Sequence, residues 1–478
     1  MFTRRVSFVL TFLCVLCLDS ARAKGLSPLS MGLKDAQNGI EKFWVLYKTH
    51  REANKLGVAV DYSGIDSLCI EIPDNAGPIA LKGSCDFCGL RLQVINKKKD
   101  IFLFEVSQRA KEVAVEKSMI DNGNYSAVAE LSRGKKLLII RDLTPWVKKR
   151  KGHEYGATRR DCLVLCNGKA YNRTIMPYDN AQSNPSCSFI SIEASKSGIS
   201  NLIFERKSSS TYKTFLIYVN NQYGVTFNNI STYTPQHKIL NDDRIFRIEN
   251  SANVVFKNCT INGSYSQRNK WGYGIYMDNV YNSVFYNFRS ETNWGVFCTR
   301  SVSEVFLKDC RVNRFDTHCY GKNIYCENCY FYDRECSYTS FYGIISYKNC
   351  VFDDCLPVHI DNTYDTYTPF KLVMKKCVFR PSKIHDCIIY SPFIYESGND
   401  SRREELKKNH WPDITIRDLK IETADTSLRN VFLFKFNKKN LGSKNNILKG
   451  GNLPTKTSLN KIEVCSHLDF HLSNSEID

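Results

Sequence analysis

Several residues that can move protons or hold anions lie close together in the stretch RFDTHCYGKN, residues 314–323. His318 could remove a proton from a substrate, Tyr320 could protonate a leaving group, and Asp316 adds a carboxylate to this predicted catalytic cluster. Arg314 and Lys322 carry charges that suit a carboxylate or a sulfate. These residue types predict acid–base chemistry on an anionic substrate, provided that the chain folds so that the side chains face outward.

The stretch belongs to a series of similar units, of which NVVFKNCTI (253–261), SEVFLKDCRV (303–312) and IISYKNCVF (344–352) are examples. Each unit is a short run of alternating apolar and polar residues followed by an Asn- or Asp-containing turn. Equivalent positions are separated by 29, 29, 22, 19, 21 and 27 residues: Ile230, Cys259, Phe288, Cys310, Cys329, Cys350 and Cys377. Short strands at this period, with no helix between them, predict a parallel β-helix whose coils stack on one another. The leucine spacing of a leucine-rich repeat is absent.

The repeat accounts for many of the 20 cysteines. Five of the equivalent positions are cysteines, and a buried thiol suits an internal stack because it packs as a small hydrophobe. We therefore expect a mostly reduced cysteine ladder, although neighbouring coils are close enough for disulfides. The pairs Cys85/Cys88 and Cys326/Cys329 lack a second pair at zinc-site spacing, so no metal site is predicted.

Alternation along four aligned strands predicts which side chains face outward. The aligned segments are GIYMDN (274–279), GVFCTR (295–300), DTHCYG (316–321) and PVHIDN (357–362). The predicted outward residues are Tyr276, Asp278, Phe297, Thr299, His318, Tyr320, His359 and Asp361, with Phe341 from the intervening coil and Arg300 at the flank. An exposed row of rings beside arginines would bind sugars. The alternative is that a loop or the C-terminal tail covers this face.

The N-terminal region resembles that of a known superfamily. Residues 30–55 form an amphipathic helical pattern, and GVAVDYSGIDSLCIEIP (57–73) then gives strands that end at Pro73. With the repeats, this resembles the pectate-lyase-like right-handed β-helix superfamily. The resemblance implies an all-β, right-handed, single-stranded parallel β-helix with an N-terminal capping helix. It also implies carbohydrate as the class of ligand, because polysaccharide lyases, glycoside hydrolases, tailspikes and binding-only adhesins share this fold.

The predicted organisation has four parts. Arg4 and Arg5 precede the apolar run 6–18 and an Ala21-Arg22-Ala23 cleavage pattern, which predicts a signal peptide over residues 1–23 and a secreted or periplasmic protein. A cap over 24–75, a β-helix over 76–400 and a polar insertion with C-terminal strands over 401–478 would follow. No later segment is apolar for long enough to span a membrane. We expect a monomer.

The charge indicates the class of partner. The formal net charge is +17, which for an exported protein favours an acidic polysaccharide over a neutral one. A basic run at 148–151, followed by Arg159 and Arg160, lies in a predicted loop over residues 144–161 that could reach the outward row or remain solvated. Nothing in the sequence points to a nucleic-acid module.

Three functions remain open. A lyase would use His318 as base, Tyr320 or Tyr276 as acid, and Arg300, Arg314 or Lys322 to neutralise a uronate carboxylate. A glycoside hydrolase would need two carboxylates, from Asp278, Asp316 and Asp361, with the histidines as sugar ligands. A binding-only protein would need the rings and basic residues alone. Related lyases hold Ca²⁺ between clustered acidic residues, and no tight acidic cluster is apparent here. Tyr276, Asp278, Phe297, Arg300, His359 and Asp361 are the predicted substrate-binding residues.

Overall fold

A computed structural model describes most of the chain. The described residues are 25–122, 134–142, 158–175, 185–192, 197–234, 243–262, 272–290, 295–318, 320–338, 341–360, 370–391, 413–423, 425, 428, 430–436, 457–459, 462–464 and 468–473. The predicted signal peptide, the basic run at 148–151 and the polar segment at 401–412 lie outside these residues.

A helix closes the N-terminal end of the fold. A π-helical turn, Leu29–Leu33, leads into helix α1, Gly39–Leu56. Asn38 caps α1 because its side chain accepts the Glu41 N–H at 2.9 Å, and the Glu41 carboxylate in turn accepts the Gln37 N–H at 2.6 Å. Gly57 ends the helix in the left-handed conformation, with φ of 67°.

The inward side of α1 buries Phe43, Leu46 and Ala53 in the same core as the first coils. The capping helix predicted from the sequence is thus confirmed, although its α-helical part begins nine residues later than the pattern at residue 30 indicated. No helix among the described residues is long and apolar enough to cross a membrane.

The strands wind into a right-handed parallel β-helix with three faces, which confirms the predicted fold. Face A contains β2 (Ile79–Ala80), β5 (Ile101–Ser107), β12 (Thr214–Asn220), the first parts of β14 (Asp243–Lys257), β16 (Gly272–Tyr286) and β18 (Gly295–Lys308), and then β20 (Asp316–Thr317), β23 (Glu335–Tyr338), β26 (Leu356–Ile360), β29 (Cys387–Ser391), β32 (Asn430–Phe436) and β35 (Asp469–Ser473).

The chain then turns onto face B. This face contains β3 (Ser84–Asp86), the first parts of β11 (Ser197–Arg206) and β13 (Val225–Tyr233), the second parts of β14, β16 and β18, and then β21 (Gly321–Glu327), β24 (Phe341–Lys348), β27 (Phe370–Lys375), β30 (Asp413–Arg417) and β33 (Thr457–Leu459).

Face C completes each coil. It contains β1 (Ser67–Glu71), β4 (Arg91–Ile95), the second parts of β11 and β13, and then β15 (Thr260–Ile261), β17 (Arg289–Ser290), β19 (Arg311–Val312), β22 (Tyr330–Tyr332), β25 (Val351–Asp353), β28 (Val378–Arg380), β31 (Leu419–Ile421) and β34 (Ile462–Val464). The β-helix therefore continues through β30–β35, beyond residue 400.

A left-handed residue makes the turn between faces B and C. From Asn229 to Asp418, eight successive turns place one residue at φ between 48° and 56°: Asn229, Asn258, Asn287, Asp309, Asn328, Asn349, Lys376 and Asp418. Asparagine and aspartate tolerate this conformation better than most other residues. The amides also bond between coils, since Asn328 donates to Asp309 at 2.9 Å and Asn349 donates to Asn328 at 3.1 Å.

The residue after each such turn points into the core. Ile230, Cys259, Phe288, Cys310, Cys329, Cys350 and Cys377 are all at most 3% exposed, so the equivalences taken from the repeat are correct. The five cysteines among them are unpaired thiols, and each donates to a backbone carbonyl, as Cys310 does to Phe285 at 3.4 Å. Phe227, Phe256 and Phe285 form a parallel stack beside this row, with ring centroids 4.5 and 5.0 Å apart.

A second, smaller sheet is inserted between β5 and β11. It is antiparallel, in the order β6 (Lys111–Val113), β10 (Pro185–Ser191), β7 (Lys135–Asp142), β8 (Arg159–Cys166) and β9 (Lys169–Ala170), with helix α2 (Lys117–Asn122). One side of this sheet packs with α2, and the other packs on Ala252, Tyr223 and Tyr281 of the β-helix. Arg159 and Arg160, expected in a basic loop, lie in β8.

The turn residue Asn328 provides a test of this architecture. Asn328→Gly keeps the left-handed backbone but loses two amide bonds, and should lower the free energy of unfolding by about 1 kcal/mol. Asn328→Ala adds the cost of a Cβ in that conformation, so its loss should reach about 2–3 kcal/mol. Urea midpoints in the order wild type, Gly, Ala would agree with this; an Ala variant as stable as wild type would contradict it.

Candidate functional site

Two outward columns run along face A, with one residue from each coil. Column 1 contains Tyr218, Arg247, Tyr276 and Cys298, then Asp316 by extension of the Thr299–Thr317 pairing, and finally Ser337, His359, Tyr390 and Lys435. Column 2 contains Asn220, Glu249, Asp278 and Arg300, and His318 by the same extension. Most of the residues singled out in the sequence therefore share one face.

The predicted register exchanged inward and outward residues at the coil of Phe297 and Thr299, both of which are buried. It also placed His318 in the row of Tyr276, whereas His318 lies in column 2. Phe297 pairs with Ile275 and is fully buried, with its ring 4.8 Å from that of Phe285 and 5.2 Å from that of Phe315. Cys298 takes the outward place beside Tyr276. Because side chains alternate, an alignment that is off by one residue exchanges the two faces. Phe297 is a core residue and cannot contact a substrate.

Two other residues expected on the outside are also buried. Tyr320 is 1% exposed and has a left-handed backbone with φ of 68°. Phe341 is 2% exposed and packs edge-on against Tyr338, with centroids 5.3 Å apart. Their burial removes Tyr320 as a proton donor to a bound polymer and Phe341 as a sugar platform.

A buried ion-pair network forms the centre of the site. Arg314 Nη2 lies 2.8 Å from Asp316 Oδ2, and Arg314 Nη1 lies 3.5 Å from Glu335 Oε1. The side chains of Arg314 and Asp316 are 7% and 0% exposed, so Arg314 is not an open clamp for a substrate carboxylate. Burial alone would lower the pKa of Arg314, but the charges of Asp316 and Glu335 raise it above its usual value.

Gly295 makes room for this network. A Cβ at Gly295 would lie 2.9 Å from Arg314 Cδ, closer than real side chains pack. A side chain at residue 295 would therefore displace Arg314 from this position. Asp316 is the first residue of strand β20.

His318 lies at the outer edge of the network. Its Nε2 is 3.4 Å from Asp316 Oδ2, its side chain is 23% exposed, and its backbone N–H donates to Thr299 O at 2.6 Å. Nδ1 is buried and has no hydrogen-bond partner among the described residues. An imidazole held by a carboxylate on one nitrogen can use the other nitrogen as a proton acceptor. Arg300, exposed at the surface, lies one coil away in column 2.

Glu335 connects this network to His359. His359 Nδ1 lies 3.5 Å from Glu335 Oε1, and the His359 ring packs on Tyr390 with centroids 5.4 Å apart. Burial raises the pKa of Glu335, but the bond from His359 and the charges of His359 and Arg314 outweigh it and hold that pKa at about 2. Sequence reasoning did not select Glu335, because a single glutamate at the start of a strand gave no signal.

Tyr276 and Asp278 face outward but are covered. The Tyr276 hydroxyl donates to Asp278 Oδ2 at 3.2 Å, and Arg160 Nη1 from the inserted sheet lies 2.6 Å from the same oxygen. Burial raises the pKa of Asp278, although the charges of Arg160 and Arg300 oppose this. The alternative of a covered face is thus correct for this part of face A, and the covering element is the inserted sheet.

Lys322 contacts the segment that follows β9 of the inserted sheet. Its Nζ donates to the Thr174 carbonyl at 3.1 Å, and burial lowers the pKa of Lys322. Asp361 lies outside the described residues. Of the predicted cationic clamps, Arg300 is the one at the surface. No group of three or more His, Cys, Asp or Glu side chains gathers within the described ranges, so the residues seen there offer Ca²⁺ no ligand set.

Comparisons with known proteins give only distant likenesses. No family model and no curated protein matches the sequence. One similar solved structure is the tailspike protein gp49 of Pseudomonas phage LKA1, with a TM-score of 0.47 and 11% sequence identity; the match covers 86% of this chain and 78% of that one. Another is the gp54 tailspike of Acinetobacter baumannii bacteriophage AP22, in complex with capsular saccharide, with a TM-score of 0.44 and 11% identity; the match covers 94% of this chain and 77% of that one. A third is the mannuronan C-5 epimerase AlgE4 A-module of Azotobacter vinelandii, with a TM-score of 0.41 and 7% identity; the match covers 94% of this chain and 97% of that one. At TM-scores below 0.5 these likenesses carry no argument about function.

The network predicts an acid-sensitive contribution to stability. Because the pKa of Glu335 falls from 4.5 to about 2 on folding, its stabilising effect is full above pH 4.5 and is lost as the pH falls toward 2. The difference in melting temperature between wild type and Glu335→Gln should therefore be larger at pH 6 than at pH 3. The exposed Glu112→Gln serves as control. A difference that stays constant over this range would contradict the ion-pair assignment.

Proposed function

We propose that this protein is a lyase that cleaves an acidic polysaccharide by β-elimination, with His318 as the base. The observation that carries the proposal is the partly exposed imidazole of His318, oriented by a buried aspartate that is itself held by a buried arginine. This arrangement holds a partly exposed imidazole at the outer edge of face A.

The base would act on C5 of a uronate. The imidazole of His318 removes the C5 proton, the electron pair forms the C4–C5 double bond, and the C4–O4 glycosidic bond breaks. The products are a chain with an unsaturated uronate at its non-reducing end and a chain with a new reducing end. Atoms and charge balance once O4 has received a proton, and no further reactant is required.

Arg300 would neutralise the substrate carboxylate. The C5 proton becomes acidic only when the negative charge that develops on the carboxylate is stabilised. Arg300 is exposed one coil from His318, about 4.8 Å away along the helix axis. Its guanidinium can bind both oxygens of a carboxylate at once. Arg314 cannot take this role because Asp316 and Glu335 occupy it.

The proton on the leaving oxygen would come from His318 itself. Both tyrosines considered as acids are buried, and the Tyr276 hydroxyl is already bonded to Asp278. Burial also raises the pKa of Tyr276, which makes it a weaker acid. The imidazolium formed by proton abstraction is the remaining donor near the reacting bond, and it can return the proton to O4.

The arrangement supports hydrolysis less well. A glycoside hydrolase needs one carboxyl group that stays protonated near neutral pH. Glu335, with a pKa of about 2, is an anion, and Asp316 is paired with Arg314. Asp278 is buried beneath Arg160. None of the three faces an approaching sugar as a free acid.

Ultraviolet absorbance of unsaturated uronate tests the proposal on pectate, alginate and glycosaminoglycans. Wild type should produce absorbance on one of these, and His318→Ala should lower the rate by about 10²–10⁴-fold because it removes the base. His471→Ala, another histidine of face A, is the matched control and should retain the rate. New reducing ends without absorbance, or an unaffected His318→Ala variant, would contradict the proposal.

A further inference from the structure

Face B carries a column of mostly basic residues on its outer side. From coil to coil, the paired residues are Lys257, Tyr286, Lys308, Glu327, Lys348, Lys375 and Arg417. All except Glu327 are exposed. We call this set the face B column. It lies on a different side of the β-helix from the network around His318.

Three consecutive members of the column carry the same charge. Lys348 is in register with Lys375, and Lys375 is in register with Arg417. Lys348 has a partner in Glu327 at 2.6 Å, but Lys375 and Arg417 form no ion pair with any described residue. Like charges directly opposite on neighbouring strands destabilise a sheet. This end of the column therefore costs the folded state stability unless an anion lies against it.

Face C shows that the fold can avoid such a cost. There, Arg380 lies between two acidic residues of neighbouring coils, with Nη1 at 3.5 Å from Asp353 and Nε at 3.2 Å from Glu422. The charges of these three coils alternate, and each cation has a partner. The same three coils on face B present Lys348, Lys375 and Arg417 without alternation.

Two aromatic rings border the column. Phe306 and Tyr325 lie two residues before Lys308 and Glu327, on the same outer side, with centroids 4.9 Å apart and planes at 13°. A nucleic-acid base binds by stacking on the face of an aromatic ring. Because Phe306 and Tyr325 stack on each other along the axis, the ring faces that they turn toward each other are not open to a base. The rings add an apolar edge beside the cations, which suits the ring of a sugar.

We propose that the face B column binds a linear polyanionic polysaccharide, whose carboxylates or sulfates follow the helix axis. Successive cations stand about 4.8 Å apart along that axis, so a chain laid along it meets a cation at most coils. The proposal goes beyond the lyase reaction and does not depend on it, because its residues lie on face B. A bound polyanion would also supply the counter-charge that Lys375 and Arg417 lack among the described residues.

The test compares two double variants by their affinity for dextran sulfate and alginate, with neutral dextran as the uncharged probe. Lys375→Thr with Arg417→Thr removes two cations while keeping residues that suit a strand. The dissociation constant should rise about tenfold at low salt. Arg51→Gln with Lys55→Gln, two exposed cations of α1, removes the same charge and should leave it within about twofold of wild type.

The melting temperature separates binding from a structural role. Without polyanion, the Lys375→Thr/Arg417→Thr variant should melt at the wild-type temperature or above it, because a like-charge repulsion is gone. Dextran sulfate should raise the melting temperature of wild type more than that of this variant. Equal affinities of the two double variants for both polyanions would overturn the proposal.

Two further measurements distinguish the partner and the site. Single-stranded DNA should bind more weakly than dextran sulfate of equal charge density, and binding of equal strength would overturn the assignment to polysaccharide. His318→Ala should bind dextran sulfate as wild type does. If the lyase proposal holds, the Lys375→Thr/Arg417→Thr variant should cleave a short oligouronate at the wild-type rate. Binding on face B and cleavage on face A can therefore be tested separately, and failure of one proposal does not affect the test of the other.

Discussion

The in-register stacking of one coil on the next is the constraint on which the rest of this structure depends. Parallel backbone hydrogen bonds fix neighbouring coils about 4.8 Å apart, and a left-handed residue at each turn from face B to face C sets where the next strand begins. The Asn and Asp side chains at these turns bond along the axis as well. A slip of one residue would exchange inward and outward side chains over a whole coil.

The same stacking produces two different surfaces. On face A, nearly every outward charge has a partner: Arg314 holds Asp316 and Glu335, and Arg160 of the inserted sheet holds Asp278. What remains accessible is the edge of this network, where His318 and Arg300 lie. On face B, Lys375 and Arg417 are in register with each other and form no ion pair with any residue that the structure describes. The formal net charge is +17. Arginines on face A are paired with carboxylates, whereas the cations of the face B column are exposed.

The sequence was sufficient to predict the β-helix because cysteines and turn asparagines repeat at visible intervals. The same intervals also indicate the correct register of the outward residues. Phe288 and Cys310 are 22 residues apart, as are the paired residues Tyr276 and Cys298, whereas the outward residues were aligned at a spacing of 21 residues. The inserted sheet could not be found in this way, because β7 and β8 are apolar runs like those of the coils. The contact between Arg160 and Asp278 joins positions 118 residues apart, and no local pattern indicates it.

A crystal structure of the His318→Gln variant with a bound oligouronate tests the central claim most directly. The account predicts a sugar chain on face A, with a uronate carboxylate against Arg300 and its C5 facing residue 318. Oligouronate bound on face B in the same crystal would leave this result unaffected. A chain bound on face A with C5 turned away from residue 318, or no sugar on face A at a saturating concentration, would contradict it.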